Sequence, residues 1–117
     1  MIKTLPEIVG PAKAQCQLVS AEDAAKIIGA TPEAVVIDVR EPGEVAQLCA
    51  EGTVNIPRGV LEMKVGEVVK AADQPILIHC ATGGRAALSA VALMNMGYTN
   101  VRVIDADSNA VVASLAG

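Results

Sequence analysis

The stretch Pro75-Ile76-Leu77-Ile78-His79-Cys80-Ala81-Thr82-Gly83-Gly84-Arg85 constrains the fold more than any other part of the chain. Its apolar run has the length of a short strand covered on both faces, and it leads into a tight, glycine-bearing loop. A helix is predicted from Arg85 to Met96, with Gly97 at its C-terminal end. Ala86, Ala87, Leu88, Ala90, Val91, Leu93 and Met94 make that helix apolar almost all round, so it is buried rather than amphipathic. A strand and a helix that both need covering call for a layered α/β arrangement.

The rest of the chain repeats this alternation. Leu18-Val19 is a short predicted strand, and Ser20-Ala21-Glu22-Asp23 has the pattern of a capping box opening a helix from Ala21 to about Ile28, terminated by Gly29. Ala34 to Val39 is a continuous apolar strand broken only by Asp38. Glu41 to Leu48 is expected to make one or two helical turns, Val54-Asn55 to be extended, and Leu61 to Lys70 to be helical. Val101 to Ile104 is a last strand and Ser108 to Leu115 a last helix. Right-handed crossovers between such strands give an open parallel sheet with helices on both faces. In sheets of this kind ligands bind beyond the carboxyl ends of the strands, where Cys80 sits. Asp38 and Arg40 leave the carboxyl end of another strand and are expected to reach the same crevice.

The 117 residues suit one domain with a real core. Residues 18–117 are read as that domain, and residues 1–17 as an N-terminal extension, with a short helix from Pro6 to Gln15 packing on its flank. Hydrophobic residues make up 52% of the chain and charged ones 19%, which excludes a disordered protein. Tyr98 is the sole aromatic residue, so the core falls to Val, Ile, Leu, Met and Ala. The shortage of rings argues against single-stranded nucleic acid as a partner. A net charge of −4 without basic runs argues against nucleic acid and acidic membrane surfaces alike. No stretch reaches the length of a membrane span. Pro6 and Glu7 interrupt any signal-like apolar core near Met1, so a cytoplasmic location is the default expectation, and a monomer is the default for a compact single domain. Cys16, Cys49 and Cys80 form no disulfide framework, and with His79 as the single imidazole no metal site or other cofactor is expected.

A thiol at a strand-to-helix junction faces loop N–H groups and the positive end of the helix dipole, which favour thiolate. Cys80 is therefore the candidate nucleophile. Gly83 and Gly84 can turn successive N–H groups inward around one anionic atom, and Arg85 adds a permanent cation with a donor fork. The plainer alternative is a buried small residue followed by an ordinary Gly-Gly turn.

At this point the sequence resembles the rhodanese family. Cys80, Gly83 and Arg85 meet its Cys-x-x-Gly-x-Arg pattern. Asp38, Arg40 and Glu44 resemble its Asp-x-Arg-x-x-x-Glu segment, and Asn55-Ile56-Pro57 its Asn-Ile-Pro motif. Leu93, Met94, Gly97, Tyr98, Asn100 and Val101 resemble the helix and strand that follow the active loop. The similarity runs from about Val19 to Val112, with the motifs in order and in register. It implies a sulfurtransferase in which Cys80 carries sulfur as a persulfide. A donor such as thiosulfate would supply the sulfur, and cyanide, a thiol or an acceptor protein would take it. Ala81, Thr82, Gly83 and Gly84 would cradle the sulfur, while Arg85 would hold the anion or turn back to brace the loop. Asp38 is expected to order the loop backbone. Arg40 and Arg58 are candidates for attracting an anionic donor, or are surface arginines in polar turns. Glu44 is a solvated or helix-capping carboxylate, and His79 a structural hydrogen-bonder beside the loop without a role in proton transfer.

Several positions depart from the family pattern. Leu48-Cys49-Ala50 replaces the usual Gly-His-Ile, so Cys49 is either a second thiol or a packed small residue. Ala106-Asp107 and Val111 stand where a Gly-Gly and an aromatic are common. Two other functions remain open. A phosphatase or arsenate reductase shares the Cys-loop-Arg logic but places five residues between Cys and Arg, whereas Ala81 to Gly84 are four. A non-catalytic interaction module on the same fold would not depend on Cys80.

Overall fold

A computed structural model describes residues 1–116. Alternation along its strands divides the sheet into two apolar faces. The strands are β1 (Gln17–Val19), β2 (Val35–Asp38), β3 (Thr53–Asn55), β4 (Ile76–His79) and β5 (Val101–Ile104). All their pairings are parallel, in the order β1-β5-β4-β2-β3. Val36, Leu77 and Ile104 point to one side, where they pack with Ala21 and Ala24 of α2 (Ala21–Ala30) and Val111 of α6 (Ser108–Leu115). Ile37, Ile76, Ile78, Val101 and Val103 face the other side. There Ala86, Ala90 and Leu93 of α5 (Gly84–Met96) and Leu61 of α4 (Leu61–Lys64) cover them. The sheet is thus closed on both faces, the α/β architecture expected from the sequence.

The central strand β4 has partners on both sides, and its four residues are all buried. Asp38 of β2 lies in register with His79 of β4, so both strands deliver their next residues to one edge of the sheet. The alanines of α5 let the helix lie close over β4 and β5. At its C-terminal end Gly97 takes φ +109°, and the N–H groups of Gly97 and Tyr98 donate to the carbonyls of Met94 and Leu93. This left-handed closure satisfies the last carbonyls and folds Tyr98 back onto the core.

The segment after β3 differs from the long helix expected over 61–70. A 3₁₀ turn (Arg58–Val60) precedes the four-residue α4, and a second 3₁₀ turn (Val65–Glu67) follows it. Val65, Gly66, Val68 and Val69 are poor helix formers, and burial of Leu61, Val65 and Val69 holds the piece without a continuous helix. α2 runs past Gly29 to Ala30 and ends at Thr31. The stop is set by Pro32, which disfavours helical conformation in the residue before it. α6 forms despite the departures from the family pattern. Asp107 accepts a hydrogen bond from the Ala110 N–H at 2.8 Å, and Val111 is fully buried where an aromatic is usual.

The N-terminal helix α1 (Leu5–Gln15) is capped by Thr4 and Glu7 and packs against α5. β1 begins at Gln17, so a division between residues 17 and 18 falls inside a strand of the sheet. Among the described residues no helix is long and apolar enough to cross a membrane.

Candidate active site

Cys80 is the first residue beyond β4 and only 1% exposed. Its Sγ accepts hydrogen bonds from the Gly83 N–H at 3.0 Å and the Ala86 N–H at 3.4 Å. These donors belong to the cap and first turn of α5, whose amides have no partner within the helix. The sulfur therefore takes the place of an N-capping side chain, at the positive end of the helix dipole. The turn depends on Gly83, whose φ of +102° is strained for any residue with a Cβ. The Ala81 carbonyl accepts from the Ser108 N–H at 3.1 Å and so ties the loop to the start of α6. Thr82 is exposed at the rim, and Gly84 lies under Val9 of α1.

Arg85 turns away from the sulfur. Its two terminal nitrogens donate to both carboxylate oxygens of Glu44 at 2.6 and 2.9 Å. Glu44 sits in the short helix α3 (Pro42–Gln47) and also accepts from the Glu41 N–H, closing that helix's cap. The Arg85 fork, helped by the Glu41 amide, holds the Glu44 carboxyl down at about 2. In return Glu44 raises the Arg85 pKa, with a smaller contribution from the charge on Cys80. Arg85 is thus tied to Glu44 of α3, and no hydrogen bond joins its side chain to the Cys80 sulfur. Glu44, read from sequence as a solvated or capping carboxylate, is also the clamp that aims Arg85.

Arg40 does not reach for a ligand. It is 3% exposed; its Nε and a terminal nitrogen donate to the Asp38 carboxylate, and the same terminal nitrogen donates to the Leu48 carbonyl at 2.6 Å. Its pKa is raised chiefly by the hydrogen bonds to Asp38. A guanidinium so committed is a structural tie, which corrects the expectation of anion attraction. Asp38 likewise orders its own turn, accepting the Arg40 N–H at 3.0 Å, and not the Cys80 loop. The Asn55 amide completes the knot by donating to the carbonyls of Asp38 and Arg40 at 3.0 and 2.9 Å. The Asn-Ile-Pro motif carried that signal, although sequence reasoning gave Asn55 no role.

Arg58 pairs with Glu62 at 2.8 Å and lines a groove with Lys3, Ile8 and Leu88, to which no residue of the Cys80 loop contributes. It does not join the site. His79 is completely buried, and neither ring nitrogen has a hydrogen-bond partner; Nε2 stands 3.7 Å from the Asp38 carboxylate. Burial lowers its pKa, against the opposing pull of Asp38. The imidazole is a packing group, not the hydrogen-bonder expected beside the loop. Cys49 is exposed rather than packed. Cys16 is partly buried, its thiol donates to the Ala12 carbonyl, and burial raises its pKa.

A buried sulfur held by backbone donors at a helix N-terminus, beside a guanidinium forked on Glu44, is a cysteine-loop arrangement on an open parallel α/β sheet. The Rhodanese-like domain model matches residues 20–114, and the chain belongs to that family. The chain is 25% identical over 83 residues to a sulfurtransferase of Allochromatium vinosum, covering 71% of this chain and 76% of the relative. The structure of the polysulfide-sulfur transferase homodimer from Wolinella succinogenes superposes with a TM-score of 0.77 at 25% identity, over 92% of this chain and 81% of that one. A protein of unknown function from Rhodopseudomonas palustris, described as a possible tyrosine phosphatase, shares the fold with a TM-score of 0.82 at 22% identity. That match spans 97% of this chain and 92% of the other. Family and relatives together support sulfur transfer as the general activity.

Proposed function

We propose that this chain is a rhodanese-type sulfurtransferase that carries sulfane sulfur on Cys80, with thiosulfate as a donor and cyanide or a thiol as acceptor. The observation that carries the proposal is the pair of backbone N–H groups on Cys80 Sγ. Such a cradle suits a single large anionic sulfur, and it needs no titratable side chain.

In the first step the Cys80 thiolate attacks the outer sulfur of thiosulfate. The bond from Sγ to that sulfur forms, the donor's S–S bond breaks, and sulfite leaves with the electron pair. In the second step cyanide or a thiolate attacks the terminal sulfur of the persulfide. The electron pair of the Cys80 S–S bond returns to Sγ, and thiocyanate or an acceptor persulfide departs. The two half-reactions give ping-pong kinetics. Arg85 contributes a fixed positive field, because two of its donors are forked onto Glu44 and fix the guanidinium in place.

The test is intact mass before and after thiosulfate. A gain of one sulfur (~32 Da), lost on adding cyanide and absent in Cys80→Ala, is the expected result for a covalent carrier. No gain from thiosulfate, organic persulfides or mercaptopyruvate would leave an interaction module as the better account. Cys80-dependent hydrolysis of an aryl phosphate would favour a phosphatase. The four-residue span from Ala81 to Gly84 weighs against that outcome.

A further inference from the structure

An anionic donor needs a cation near the loop, and the arginines named from sequence are each already paired with a carboxylate. Arg85 is forked on Glu44, Arg40 is buried on Asp38, and Arg58 pairs with Glu62 four residues on. Lys13 of α1 does lie against the loop. A Cβ built on Gly83 would stand 3.4 Å from Lys13 Nζ and 3.2 Å from an Asp105 carboxylate oxygen. Lys13 Nζ meets that one oxygen at 3.2 Å, and its side chain is about one-third exposed. An ammonium group has three donors, so this contact leaves it able to bind a second anion.

The distances also fit. Gly83 N lies 3.0 Å from Cys80 Sγ, and its Cβ direction leads to Lys13 Nζ. With ordinary bond lengths, Sγ and Nζ are separated by no more than about 9.5 Å. A thiosulfate ion spans roughly 3 Å from outer sulfur to sulfonate oxygen, of which the S–S bond is about 2 Å. Adding about 3.5 Å for a near-attack approach and about 2.8 Å for a charge-assisted hydrogen bond bridges that gap.

We propose that Lys13, from the N-terminal helix and outside the stretch matched by the family model, is the donor-binding residue that selects sulfonate-ended sulfane donors. Asp105, 3.2 Å from its ammonium, tempers its charge. The proposal deepens the sulfur-transfer reading and rests on it.

The test separates the two. Thiosulfate is titrated into Cys80→Ser, which cannot accept sulfur, and the Gly83 and Gly84 amide resonances report its dissociation constant. Adding Lys13→Gln should weaken binding about fivefold, the scale of one partly exposed charge contact, while Lys13→Arg retains it. Asp105→Asn should strengthen binding, whereas damage to the packing of α1 would weaken it in both Lys13→Gln and Asp105→Asn. Equal affinity with and without Lys13, weakening by Asp105→Asn, or no binding at tens of millimolar thiosulfate each overturns the proposal. Sulfur uptake by the wild type, read as mass with any donor, decides the catalytic reading independently.

Discussion

Replacing Glu44 by Gln removes the charge that clamps Arg85 and keeps the side chain's size. In the folded protein the Glu44 carboxyl is held at about 2, against an ordinary 4.5. Unscreened, a shift of that size corresponds to roughly 3 kcal/mol of stabilisation. Both partners are more than one-third exposed, at 37% and 38%, so water weakens the pair and about 1 kcal/mol is the expected share. Because the folded pKa is depressed, this contribution is complete above pH 4.5 and is lost as pH falls toward 2. Glu44→Gln should therefore lower the melting temperature by roughly 4 °C at neutral pH. The gap to wild type should narrow steadily below about pH 4.5. Thermal melts of both proteins between pH 7 and pH 3 measure it. A gap that is absent at pH 7, or that stays constant down to pH 3, would refute the assignment of the Arg85 brace to Glu44.

Gly83→Ala forces a Cβ onto a residue at φ +102° and against Asp105, at a cost of about 1–3 kcal/mol seen in urea unfolding. It should also slow persulfide formation on the order of a hundredfold, as expected when one backbone donor loses its aim. Arg40→Met strips the buried Asp38 carboxylate of its partner and should cost about 3 kcal/mol by chemical denaturation. A loss below 1 kcal/mol would show that the Asp38–Arg40 tie is dispensable. His79 carries the same sign of pH dependence as the Glu44 carboxyl, in a higher pH window. The unfolded chain protonates this ring as pH drops through about 6.5, and the buried ring does so only at lower pH. Wild-type stability should therefore fall as pH is lowered from 7.5 to 5.5, and His79→Gln should flatten that part of the curve.

The parts of the site that were legible in the sequence are those encoded locally. β4, the loop and α5 follow one another without a break, so strand, cysteine, glycine and helix could be placed by spacing alone. Gly97 marks the end of α5 for the same reason. Side chains that meet across the fold were not legible. Glu44 and Arg85 are 41 residues apart, and Lys13 and Asp105 are 92 apart. An apolar period reveals which face is buried but not which distant polar group comes to rest beside it. Arg40 shows the limit well. Its place at a strand end suggested a ligand-facing cation, whereas Asp38 two residues earlier gave it a nearer partner. The broken helix after Leu61 has a related cause, since its buried positions keep the period of a helix while Val and Gly supply little propensity for one.

The near absence of aromatic residues leaves the protein with one intrinsic chromophore. Tyr98 follows α5 at the end opposite Cys80, across 13 helical residues or about 20 Å of helix. It packs against the core cluster that joins α5 to the sheet. Its emission therefore reports whether that helix is seated, and it lies too far from the loop to register sulfur arriving on the thiol. Folding and loading can be followed in the same sample by two signals that do not contaminate each other, tyrosine fluorescence for the first and mass for the second.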